Sequence, residues 1–231
     1  LGIITRAVLR LRPNMTARTT ALVATDSFSK MTALLNRIEN ALEGKLSAFE
    51  AMWQSYYVIA SRDQNMGQPP LPDHYPFYIL IEATGSHQTS DNEQFLHALE
   101  TAMSEHLILA AVIAESGQQQ QAIWDIRDNI PALMSHQPMQ LFDISLPLNH
   151  MESYLAEMQQ NLDSVNPGQF VATLGHLGDG NLHIAVQLGD DSSARKTSVE
   201  QAIYKPLQSR GGSISGEHGI GLEKKPYLHL S

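Results

Sequence analysis

The sequence predicts an α+β fold: two ferredoxin-like βαββαβ units in tandem, forming an antiparallel sheet with helices on one face. Three observations carry that prediction. Hydrophobic spacing switches repeatedly between a period of two and one near three and a half. The order of those switches spells β-α-β-β-α-β twice, which is the split-βαβ pattern repeated. The 231 residues are 42% apolar and 17% charged, enough to build a sizeable core.

Each element follows from its local pattern. Residues 3–11 read as a strand closed by Pro13, which cannot donate to a ladder. "TTALVAT" (19–25) is the first strand of the first unit. "DSFSKMTALLNRIENALEG" is a helix that starts at Asp26 or Ser27 and ends on Gly44, with apolar residues at 31, 34, 35, 38 and 42. "LSAFEAMW" (46–53) is a strand, followed by a short helix through Tyr57 and a loop rich in proline and glycine. "FYILIEAT" (77–84), a helix over 89–106 and "LILAAVIA" (107–114) complete the first unit. A linking helix over 118–134 begins with four glutamines, which serve as its polar first turn. The second unit runs through a strand at 139–148, a helix at 149–165 and strands at 169–176 and 181–188. A helix at 193–212 and a last strand, "SISGEH" (213–218), close it.

Composition excludes several function classes. The net charge is -9 and the basic residues are scattered, so nucleic acid is not an expected partner. With no cysteine, disulfides, thiolate metal sites and cysteine nucleophiles are out. The longest apolar run, at 107–114, is too short for a transmembrane segment. No charged n-region with an apolar h-region opens the chain, so the expectation is a cytoplasmic protein.

The chemistry concentrates in two glycine-rich stretches. "GHLGDGNLH" (175–183) holds two of the ten histidines, an aspartate and three glycines. A two-residue turn at Asp179 and Gly180 would set His176 directly opposite His183 on one sheet face, with Cβ atoms roughly 5 Å apart. Two imidazoles at that spacing can bind one ion, which then wants a third ligand. "SGEHGIG" (215–221) offers Glu217 beside His218. Adjacent strand residues face opposite ways, so the backbone must bend there, and Gly216 and Gly219 allow it. A His176, His183 and Glu217 set with an open position is of the catalytic kind, and it leaves His218 free as a base.

Plainer readings stand beside these. His74, His87, His97, His106, His136, His150 and His229 read as surface or hydrogen-bonded residues. Arg127 reads on pattern alone as an exposed helix residue, and Trp53 and Trp124 as core or interface aromatics. Asp143 reads as a cap for the turn into the next helix. The same His2Glu set also fits a zinc-dependent hydrolase, or a non-catalytic binding module that keeps its metal only for structure.

The two clusters resemble the signatures of the C-terminal domain of FAD-linked oxidases, in the vanillyl-alcohol-oxidase-like flavoprotein superfamily. The relevant branch holds D-lactate dehydrogenase, D-2-hydroxyglutarate dehydrogenase and the glycolate oxidase flavin subunit. "LSAFE", "WDIRDNIPAL" and "FDISLP" fall in the same order, and the resemblance covers nearly the whole chain. It implies that residues 1–14 are the terminal strand of a truncated FAD-binding domain. Residues 15–231 are then the cap and substrate domain, itself truncated after "PYL". By this resemblance His176, His183 and Glu217 hold zinc or manganese, and His218 is the general base. Arg127 pairs with the substrate carboxylate, and Asn181 supports the loop at the substrate site.

The implied activity is oxidation of a D-2-hydroxy acid to a 2-oxo acid, with FAD held mainly by the missing domain. Expected partners are a small 2-hydroxy acid, that domain and an unidentified electron acceptor, with a homodimer and peripheral membrane attachment left open. The fragment alone is expected to be inactive. Where hydroxyglutarate enzymes of the family carry polar residues for a second carboxylate, this chain has Pro131, Leu141 and Ala185. A small or apolar substrate side chain is the corresponding expectation.

Overall fold

Alternating apolar residues build the strands of the first unit: Ala17–Thr25 (β1), Leu46–Trp53 (β2), Phe77–Gly85 (β3) and Ala110–Ile113 (β4). Between them run Phe28–Leu42 (α1), Gln54–Ser61 (α2) and Gln88–Ser104 (α3). Gly117–Arg127 (α4) and a 3-10 turn, Ile130–His136, lead to the second unit. That unit comprises Met139–Ser145 (β5), Leu148–Val165 (α5), Val171–His176 (β6), Asn181–Gln187 (β7) and Ser193–Gln208 (α6). This computed structural model describes residues 3–11, 15–64 and 66–231.

The strands form one antiparallel sheet in the order β4-β1-β3-β2-β6-β7-β5. Each unit contributes its strands in the ferredoxin-like order, and the two meet where β2 pairs with β6. The architecture is the α+β one that the periodicity predicts.

Helix α1 illustrates why the local sequence forms these elements. Ser27 accepts the amide hydrogen of Lys30 at 3.3 Å, which caps the first turn. Met31, Leu34, Leu35, Ile38 and Leu42 then fall on one buried stripe. Burying each such side chain contributes about 2 kcal/mol. Helices α1, α3, α5 and α6 all pack on one face of the sheet, over Ala21, Val23, Ile79, Ile81, Leu182 and Ile184.

The opposite face is not left bare. Tyr56 and Tyr57 of α2, Ile123 and Ile126 of α4, and Leu133 cover Leu22, Met52, Tyr78 and Leu80 there. Among the described residues, the second-unit end of that face is covered in part by Leu133 and otherwise opens into a cleft.

Two expected strands are absent. Residues 3–11 form no strand among the described residues and are exposed along their length. No described strand lies beside them to complete a ladder, and an unpaired strand in water has nothing to hold it. Residues 213–218 make a single bridge, Ser145 to Ser213, and then bend away.

A buried carboxylate replaces the missing ladder. Asp143, 3% exposed on β5, accepts the amide hydrogen of His218 at 2.8 Å and that of Glu217 at 3.0 Å. It also takes the Ser215 hydroxyl at 3.2 Å and the Asn181 side-chain amide at 2.8 Å. The Lys224 ammonium donates to the Asp143 backbone carbonyl and lies 3.6 Å from its carboxylate. Burial alone would raise the Asp143 pKa. The donors from His218, Asn181 and Glu217 overcome it and hold the carboxyl well below its ordinary 3.8.

Gly216 is what lets the segment come so close, since a Cβ there would run into Asn181 Nδ2. Gly216→Ala and Asp143→Asn are each expected to lower the unfolding free energy by roughly 2–4 kcal/mol. Urea denaturation would measure this, and an unchanged midpoint in Asp143→Asn would mean that the carboxylate does not hold the segment.

Candidate active site

The open end of the sheet carries the site because strand parity sends the chemically active residues to that side. Glu50 on β2, His176 on β6, His183 on β7 and Asp143 on β5 share the face opposite α1, α3, α5 and α6. The apolar residues alternating with them, such as Ala51, Ile184 and Phe142, join the helix-covered core.

The hairpin differs from the sequence expectation in register. His183 pairs with Leu174, not with His176. The connection is a 3-10 turn, Leu177–Asp179, closed by Gly180 in the left-handed region at φ 75°. A Cβ at Gly180 would also collide with the Leu146 carbonyl. The slip is two residues, and the side-chain period is two, so both histidines keep the predicted face. Their rings lie 5.5 Å apart, edge to face. Freed from its partner on β7, His176 pairs with Glu50 across the join of the units.

His176, His183 and Glu217 come together. Each offers one donor atom, and the three lie within 4.8 Å of one another. A tetrahedral ion about 2.1 Å from each donor needs them about 3.4 Å apart. Small side-chain rotations close that gap, and the Glu217 side chain, 49% exposed, has room for them. The cleft lining holds three carboxylates, Asp143, Glu217 and Glu223, against Arg127 and Lys224, and Glu50 adds a fourth from beneath. The donor set and this excess negative charge both fit a divalent cation.

Electrostatics differ between the two imidazoles. The hydrogen bond from His176 Nδ1 to Glu50 Oε1, at 2.8 Å, raises the His176 pKa. Burial lowers that of His183, and neighbouring His176 adds to the effect. A neutral His183 is the form that can ligate a metal. The ring of His218 stacks on that of His183 with centroids 5.5 Å apart, at the exposed rim.

Arg127 ends α4 and is not the exposed helix residue its pattern suggests, since its side chain is 15% exposed. Its Nε donates to Glu50 at 2.9 Å, one terminal nitrogen to Asp128 at 2.9 Å, and the other lies 3.0 Å from His176 Nε2. Asn181 is 2% exposed beneath the 215–218 bend and does not line the cleft. Its Oδ1 has no hydrogen-bond partner among the described residues. Trp53 packs between Phe28 and Phe77, and Trp124 donates to the buried Glu82 carboxylate at 2.8 Å.

The cleft measures about 730 Å³. Leu141 and Ala185, a directly paired couple on β5 and β7, form part of its floor, with Ile130, Leu133 and Leu174 beside them. Sequence reasoning missed two residues here. Glu50 carries no motif-level signal of a site role in the sequence pattern, and Asp143 reads there as a turn cap. Their shared signal is a lone acid inside an otherwise apolar strand, in "LSAFEAMW" and "LFDIS".

Comparison with known proteins identifies the family of the chain. Residues 14–231 match the family described as FAD linked oxidases, C-terminal domain. The mitochondrial D-2-hydroxyglutarate dehydrogenase of Danio rerio is 28% identical over 100% of this chain and 43% of its own length. The D-2-hydroxyglutarate dehydrogenase of Stutzerimonas stutzeri is also 28% identical, over 100% and 50%. A mitochondrial protein of Schizosaccharomyces pombe, provisionally named a D-lactate dehydrogenase, is 27% identical over 100% and 46%. The chain thus spans about half the length of the curated relatives it matches.

Among solved structures, p-cresol methylhydroxylase superposes with a TM-score of 0.60 at 9% identity, over 88% of this chain and 46% of that one. Alkyldihydroxyacetonephosphate synthase gives 0.59 at 10%, over 94% and 42%. These likenesses speak for the fold alone. With the two glycine-rich clusters converging on one cleft, and the family match running over residues 14–231, the chain belongs to the FAD linked oxidases, C-terminal domain family.

Proposed function

We propose that this chain is the substrate- and metal-binding domain of an FAD-dependent dehydrogenase that oxidises a D-2-hydroxy acid to a 2-oxo acid. The observation that carries this reading is the meeting of three donor side chains, a guanidinium and an exposed imidazole at one cleft. The names of the relatives support the reaction class.

His176, His183 and Glu217 would hold a divalent ion, zinc or manganese, which when bound supplies Lewis acidity toward the substrate's hydroxyl and carboxylate oxygens. The flavin supplies the hydride acceptor and would be held mainly outside this chain. What this chain offers toward the flavin is the open mouth of the cleft, where Leu222 is exposed.

The remaining work falls to the chain's own residues. Arg127 binds the substrate carboxylate, since a guanidinium fork matches a carboxylate in shape and charge. His218 accepts the hydroxyl proton as the C2–H bond breaks and the C2–O bond becomes a carbonyl. Imidazole is suited to taking a proton near neutral pH. The Asp143 clasp holds the His218 backbone, so the ring stays at the rim beside His183.

The substrate's side chain would lie over Leu141 and Ala185. The lining offers two basic side chains, Arg127 for the first carboxylate and Lys224, which is engaged by Asp143. A second substrate carboxylate would lack a free partner, and an unpaired buried charge is costly. The reading is therefore of a monocarboxylic substrate with a small or apolar side chain.

In the flavin-loaded protein, His218→Asn is expected to lower kcat by about 10²–10⁴ while bound metal, measured by elemental analysis, stays unchanged. Glu217→Gln should lower both, and identical behaviour of the two variants would overturn the division between base and ligand. For substrate choice, kcat/KM should be higher for D-lactate or a longer apolar D-2-hydroxy acid than for D-2-hydroxyglutarate. A tenfold preference for D-2-hydroxyglutarate would refute the apolar side-chain reading.

A further inference from the structure

Glu50 lies beneath the cleft with its carboxylate fully committed. Oε1 accepts from His176 Nδ1 at 2.8 Å, and Oε2 accepts from Arg127 Nε at 2.9 Å. A guanidinium can only donate, so the Arg127 nitrogen 3.0 Å from Nε2 calls for a lone pair there, with the single ring proton held on Nδ1 by Glu50. Nε2 faces two groups, Arg127 at 3.0 Å and Glu217 Oε2 at 3.8 Å. The guanidinium therefore donates to the same lone pair that a metal held by His176, His183 and Glu217 would need.

We propose that Glu50 is a positioning residue that presents the Nε2 lone pair of His176 to either of two cations, the Arg127 guanidinium or a bound metal. Metal loading then frees one arm of Arg127 for the substrate carboxylate. This inference rests on the metal reading given above and deepens it.

The exchange is one of side chains only, because the end of α4 is pinned. The Tyr56 hydroxyl donates to the Arg127 carbonyl at 2.6 Å, and Trp124 Nε1 to Glu82 at 2.8 Å. The Arg127 backbone cannot withdraw. Because the guanidinium is a rigid plane, its terminal nitrogen leaves His176 only by a rotation of the whole group, which also shifts the nitrogens bonded to Glu50 and Asp128. One lone pair cannot serve two cations, and the two charges repel at that distance. Metal and Arg127 compete at His176, while Glu50 keeps both within reach of it. The metal-free protein then has its carboxylate receptor folded onto its metal ligand. By reciprocity, whatever draws Arg127 into the cleft also favours metal binding.

The test is Co²⁺ titration of the metal-free protein, followed by visible absorption, with the urea midpoint of each variant measured alongside. Arg127→Met should bind Co²⁺ about tenfold more tightly, because the competitor is gone. Glu50→Gln should bind it about 10–100-fold more weakly, the usual cost of losing the partner that orients a ligating histidine. A merely structural role for both residues would weaken binding in both variants. Arg127→Met with equal or weaker Co²⁺ affinity overturns the competition, even if Glu50→Gln fails to fold. Unchanged affinity in a folded Glu50→Gln overturns the positioning role. If the wild type takes up no Co²⁺ saturably, or His176→Ala takes it up equally well, the metal reading itself fails and this inference falls with it.

Discussion

The carboxylate of Asp143 collects two consecutive backbone amides, a serine hydroxyl and an asparagine amide on the edge strand β5, which among the described residues has a partner strand, β7, on one side only. In a complete second unit, a fourth strand would lie there, and its ladder would fix residues 213–218. One buried anion does that work instead. A ladder would have forced Glu217 and His218 to opposite faces, whereas the clasp lets the backbone turn and brings both to the cleft. Charge makes this possible, because a hydrogen bond to a carboxylate is stronger than one between neutral groups. A carboxyl held well below its usual range stays charged throughout the neutral range.

The second constraint is the place where the units join. Glu50 comes from the first unit, Arg127 from the linking helix, and the histidines with Glu217 from the second. Neither repeat contains the site. The register at β2–β6, which sets Glu50 opposite His176, makes the duplicated architecture into one chemical unit. The helix-covered face runs as a single core under both halves. The exposed end of the other face is thereby left to the cleft.

Much of this was legible in the sequence. Strand β2 falls on the predicted residues, and α1 and α5 match to within two residues at either end, because capping signals and periodicity are local properties. Parity was legible too, and it survived the two-residue error in the hairpin, so His176 and His183 met as expected. What was not legible depends on which elements lie beside one another. Glu50 and Asp143 look like any strand acid until β6 and the 215–218 bend are laid against them. "SISGEH" has the composition of a strand, but its Gly216, the Gly219 that follows it and a carboxylate aimed at its amides turn it aside. The strand expected at residues 3–11 failed for a related reason, since a strand needs a neighbour and the alternation does not supply one.

The join between the units has a mechanical consequence. β1 and β3 share nine paired residues, whereas β2 and β6 share three, Glu50, Ala51 and Met52 against His176, Gly175 and Leu174. Backbone hydrogen bonds are thus sparsest along the line that the site straddles, and side-chain packing supplies most of the stiffness there. A torque that twists one half of the sheet against the other will find its softest axis at this line. The same rotation changes the distance from Glu50 to His176 before it disturbs any longer ladder. The contacts of Glu50 with His176 and Arg127 beneath the cleft are therefore the part of the site most sensitive to the torsional compliance of three residue pairs.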